Sequence, residues 1–83
     1  MIFKNDFIWI GCGDSRNPEE IQQNTSMMHT NDVRTWIKYK GTWYQYARKG
    51  CLALKEIFLD CKTEEDYDWV FNCLLDEGEV YRY

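Results

Sequence analysis

The feature that most constrains this chain is VRTWIKYKGTWYQYA, Val33 to Ala47, because it alternates with period two and is apolar on both parities. Such a run specifies paired strands rather than a helix. With Lys40–Gly41 as a two-residue turn, Tyr39 pairs with Thr42, Ile37 with Tyr44 and Thr35 with Tyr46. One face then holds Val33, Ile37, Tyr39, Tyr44 and Tyr46. The other sets Arg34, Trp36 and Lys38 against Trp43, Gln45 and Ala47, and it must be either covered or used. A slip of one residue exchanges the two faces, so the weak Lys-Gly turn signal carries the assignment.

The remaining segments supply the cover. Ile2 to Ile10 reads as a strand apolar on both sides, ended by GCGDS with glycines for a turn. Asn17 as N-cap, Pro18 at the first helical position and Glu19–Glu20 in the first turn predict a short helix, followed by an irregular polar stretch through Asp32. GCLALKEIFLDC matches a helical face at Leu54, Ile57, Phe58 and Cys61, but its shortness and its Ile-Phe-Leu centre favour a strand over residues 51–60. Thr63 followed by Glu64, Glu65 and Asp66 opens a helix whose apolar face is Tyr67, Val70, Phe71 and Leu74, widened by Trp69 and Cys73. Gly78 stops it, and EVYRY closes as a strand with Val80 on one face and Tyr81 and Tyr83 on the other. The expected fold is a single α+β domain over 1–83. Its small, mostly antiparallel sheet of four to five strands is packed by the C-terminal helix, with a short helix near the N-terminus.

Eighty-three residues is small for an unaided fold, and the 17% aromatic content offsets that. No apolar run approaches the roughly 20 residues of a membrane span. Lys4, Asn5 and Asp6 interrupt any signal-like stretch, so the expected compartment is the cytosol, and no membrane partner is expected. Four cysteines, Cys12, Cys51, Cys61 and Cys73, are therefore expected as reduced thiols, and they lack the C-x-x-C spacing of a zinc site.

The chemistry-bearing patterns argue against an enzyme. Cys12 between two glycines, with His29 as the single histidine, is the one nucleophile arrangement on offer, and a tight turn explains it better. The acids at Glu19–Glu20 and Glu64–Asp66 fit helix-start electrostatics, and no phosphate-loop, metal or cofactor motif is present. Charge is blocked instead. Residues 33–55 carry six cations and no acid, whereas 56–83 carry nine acids and two cations, within a net charge of −4.

Two binding readings follow. Closely spaced carboxylates on a rigid helix (Glu64, Glu65, Asp68, Asp76, Glu77), with Tyr67 and Tyr81 as anchors, fit a basic surface on a partner protein, one that itself binds nucleic acid being an example. The alternative is a nucleic-acid module in which Trp36 and Trp43 stack bases while Arg34, Lys38 and Arg48 meet phosphates. Overall acidity, with a pI near 4.8, ranks it second. In its shortness, acidity and aromatic content the chain resembles small proteins of bacteriophages and mobile elements. Many of these inhibit host defence or takeover targets, anti-CRISPR and anti-restriction proteins among them. The resemblance is one of style and carries no residue over. It implies an inhibitor acting in the host cytosol on a host protein. Self-association stays open.

Overall fold

A computed structural model describes residues 2–13, 16–24, 34–48 and 50–83. Its sheet runs β1 (Ile2–Lys4), β2 (Ile8–Gly13), β3 (Arg34–Tyr39), β4 (Thr42–Tyr46) and β5 (Val80–Arg82) in spatial order, every neighbouring pair antiparallel. Helix α1 (Pro18–Gln23) lies between β2 and β3 in the chain, and α2 (Cys51–Phe58) and α3 (Glu64–Asp76) lie between β4 and β5. The fold is the expected α+β class.

The central hairpin keeps the register read from its alternation: Tyr39 faces Thr42, Ile37 faces Tyr44 and Lys38 faces Trp43. Lys40 and Gly41 both take positive φ, 50° and 78°, the pattern of a tight turn whose twist matches its strands. Both helix caps are also as read. The Asn17 side chain accepts from the Glu19 amide, and Thr63 and Asp66 exchange side-chain and backbone bonds in a capping box. His29 and Val33 lie outside the described residues.

Three segments depart from the sequence reading. The first strand is a hairpin instead, because Asn5 folds the chain back: its Oδ1 accepts from the amides of Phe7 and Ile8. The Gly11–Gly13 stretch is not a turn but the end of β2, paired to β3. A Cβ on Gly11 would sit 2.3 Å from the Trp9 indole, so this glycine admits a ring lying along its own strand. The expected strand at 51–60 is helix α2. Cys51, Leu54 and Phe58 form its buried side, the helical spacing that its shortness had argued against.

Both faces of the sheet are occupied. On the helix face, Ile8, Ile10, Cys12, Ile37, Tyr39, Tyr46 and Val80 pack with Leu54 and Phe58 of α2 and with Tyr67, Phe71 and Leu74 of α3. On the other, Trp9 and Trp36 bury Ile21 of α1, with Trp43 packed alongside.

Cys12 and Cys51 form a disulfide, against the expectation of four reduced thiols. Cys12 points to the helix face, where the start of α2 brings Cys51 to it. The Thr35 hydroxyl lies 3.4 Å from the Cys12 sulfur and donates to it. The bridge holds down a helix whose N-cap, Gly50, makes no side-chain capping bond. A second clamp fastens α3 to the central turn. The Tyr39 hydroxyl donates to Asp68, and Lys40 Nζ lies 2.9 Å from the same carboxylate and 3.4 Å from Glu64.

Two measurements test these clamps. The bridge closes a loop across a sequence separation of 39. Loops of that length stabilise by about 2–4 kcal/mol, and about 1 kcal/mol moves Tm by roughly 4–8 °C at this chain size. Reduction, or Cys51→Ser, is expected to lower Tm by about 10 °C or more; equal Tm values for oxidised and reduced protein would exclude the clamp. The second test is pH. Burial first, then Asp68, raises the Tyr39 hydroxyl above its ordinary value, and the hydrogen bond to Asp68 raises Lys40. Both contributions are complete below their unfolded values, about 10 for Tyr and 10.4 for Lys, and are lost as pH rises beyond them. Lys40 first, then Tyr39, lowers Asp68, so its contribution is lost as pH falls below the ordinary carboxylate range. Tyr39→Phe is expected to lose less stability between pH 9 and 11 than the wild type in thermal melts; identical losses would overturn the assignment.

Candidate protein-binding face

The candidate face is built on α3. Its first turn is fixed by Asp66, whose carboxylate accepts from the amides of Lys62 (3.0 Å) and Thr63 (3.1 Å). Those two backbone donors hold Asp66 below the ordinary carboxylate value, so it stays charged. The buried stripe of the helix is Tyr67, Phe71 and Leu74. Helical geometry then places Glu65, Trp69, Asn72 and Asp76 on the opposite side, and all four are exposed.

Trp69 is 71% exposed. It stands at the lip of a groove of about 230 Å³ between α2 and α3, lined by Ile57, Asp60 and Cys61 on one side and Asp66, Trp69 and Val70 on the other. Burial first, then Asp66 and Asp60, pushes the Cys61 thiol up, which keeps it protonated and a weak nucleophile. The groove therefore offers an indole, an aliphatic floor and carboxylates. That combination suits a cation carried on an apolar stem, with the ring face open to it.

The expected acidic set divides. Glu65, Asp76 and Glu77 are exposed and form no ion pair among the described residues. Asp60 and Glu56 of the neighbouring segment add to them in the same way. Glu64 and Asp68 instead face the central turn and are engaged by Lys40.

Neither expected anchor belongs to this face. Tyr67 is only 2% exposed, stacked between Phe7 and Phe58 with its hydroxyl accepting from Asn5. Tyr81 is 47% exposed, but strand alternation turns it to the far side of the sheet from Val80 and α3. The exposed aromatic of this face is Trp69, which the sequence places on the apolar side of the helix. The missed signal is spacing: Trp69 is two residues from both Tyr67 and Phe71, about 200° around the helix from each.

The alternative set also divides. Arg34, Trp36, Lys38 and Trp43 share one sheet face, as the alternation required. Trp36, however, is 1% exposed and meets Tyr83 edge-on, so it has no surface for a base. The Trp43 ring packs against Trp9, and Lys38 lies 5.4 Å from its centroid. The Trp43 indole nitrogen and Arg34 Nε are buried without a hydrogen-bond partner. Arg48 leaves the group altogether, paired at 3.0 Å with Glu79.

Cys12 is buried in its disulfide, and no three His, Cys, Asp or Glu side chains among the described residues gather as metal ligands. None of the described helices is long and apolar enough to cross a membrane. Comparison with known proteins finds no matching family model, no similar curated protein and no similar solved structure.

Proposed function

We propose that this chain is a non-enzymatic, stoichiometric binder that occludes a basic surface of another protein with the outer side of α3 and the groove beside α2. The observation that carries the reading is the exposure of Trp69 among uncompensated acids. An indole left in water forgoes about 1.5–3 kcal/mol of burial, and tryptophan is the residue type most enriched at interface hot spots. Glu65 and Asp76 stand one turn before and two turns after it, with Asp60 and Asp66 in the groove. Such a field speeds encounter with a cationic partner and selects against an acidic one. The resemblance in style to phage and mobile-element inhibitors supports a host defence or takeover protein as the target.

Capture from a host lysate, with and without nuclease, tests the proposal. Trp69→Ala and Glu65→Lys should each abolish capture while leaving Tm within a degree or two, because both side chains are exposed. Loss of a tryptophan hot spot, about 2 kcal/mol or more, weakens binding at least about thirtyfold. Unchanged capture by both variants would sink the reading.

A further inference from the structure

We infer a second binding site, independent of the acidic face: a cleft at the turn end of the sheet that takes a small phosphorylated molecule, its phosphate held between Lys4 and Lys38. The cleft measures about 430 Å³ and opens where the β1–β2 turn and the Lys40–Gly41 turn end the sheet. That volume falls in the range of small-molecule sites, about 300–1,000 Å³.

Register supplies the geometry. Lys4 is opposite Trp9, and Trp9 is opposite Lys38, so the three share one face and the lysines flank β2. Two strand spacings separate the lysine backbones by roughly 9–10 Å. The Trp9 ring is laid back along β2 over Gly11, away from the turn end, so long flexible stems of that separation can converge on one tetrahedral anion across β2 at the turn end. Compact ammonium charges suit phosphate, whereas a planar carboxylate is better read by an arginine fork. Gln22 of α1 also lines the cleft and adds a neutral amide donor, and the half-buried Phe7 gives apolar surface at the turn end for the body of the ligand.

Charge at the cleft has the opposite sign to that at the Trp69 groove. The charged side chains lining it are Lys4, Lys38 and Lys40 against Asp6 and Glu64, and Lys40 is shared between Glu64 at 3.4 Å and Asp68 at 2.9 Å. Lys4 and Lys38 form no ion pair among the described residues. Among the described residues, Lys38 is held by its position over the Trp43 ring. An anion drawing Lys38 into the cleft leaves that ring, so Trp43 reports occupancy.

Titration calorimetry and tryptophan fluorescence at low salt test this with three probes: adenosine monophosphate, inorganic phosphate and a short deoxyadenosine oligonucleotide. The expected result is saturable binding of the monophosphate, competed by phosphate, with a fluorescence change that Trp43→Phe removes while the heat persists. Lys4→Gln and Lys38→Gln should each weaken binding about tenfold, the effect of one charge-assisted contact. Lys62→Gln, which makes the same change of net charge outside the cleft, should leave binding unaltered. Absence of saturable monophosphate binding overturns the site, as does equal loss in all three lysine variants or full binding by Lys4→Gln and Lys38→Gln. Binding of the oligonucleotide alone overturns it in favour of a nucleic-acid strand.

Discussion

The structure depends on β2 and β3 being buried from both sides. Trp36 and Ile37 are adjacent in sequence and point in opposite directions, yet both are fully buried. A strand pair of this kind needs cover on each face, and the two long connections supply it from opposite sides. The β2–β3 connection brings Ile21 of α1 onto the tryptophans, while the β4–β5 connection lays α2 and α3 over the aliphatic and tyrosine face. In so short a chain the first cover is one six-residue helix among the described residues and the second is two longer ones.

That asymmetry sorts the charge. The acidic C-terminal third becomes helix and strand end, its carboxylates facing solvent on the helix side. Cations at alternate positions of β3 fall with the tryptophans on the other side. The sheet lies between the two sets, and they meet at its rim, where Lys40 reaches Glu64 and Asp68 and Arg48 reaches Glu79. Internal neutralisation therefore consumes the acids nearest the rim and leaves Glu65, Asp76 and Glu77 uncompensated. A fully complementary pairing of basic hairpin with acidic helix is geometrically excluded, because the helix lies on the face that Lys38 and Arg34 do not occupy.

What was legible in the sequence was whatever is fixed by neighbours in the chain. Period-two alternation around Lys40–Gly41 set the hairpin register, and Asn17, Pro18, Thr63 and Asp66 marked helix starts by the bonds they make locally. What was not legible depends on contacts between distant segments. The fold-back at Asn5 is the exception, a local turn held by its own side chain that the apolar residues on either side of it in Ile2–Ile10 conceal. The 51–60 run satisfies both periods, and it becomes a helix where Cys51 can bridge to Cys12 and Leu54 and Phe58 can reach the sheet. Connectivity of cysteines cannot be counted from spacing. Of the two aromatics near the start of the last helix, Tyr67 was expected outside and Trp69 on the apolar face, and the structure reverses them, because both are apolar in composition and differ only in which way the finished helix turns them.

The aromatic inventory gives the last step. Trp9, Trp36 and Trp43 all make ring contacts within the tryptophan face, and Phe7, Tyr39, Tyr44, Phe58, Tyr67 and Phe71 do so on the other. Each therefore has a structural reason to be aromatic, since offset and edge contacts add to the area buried. Trp69 makes none of these ring contacts and remains in water. A fold that must economise on surface in 83 residues gains nothing from it there. Alanine, lysine or glutamate at the same position would serve the helix better. The stability forgone at Trp69 is thus the observation on which the proposed binding role of the outer side of α3 rests.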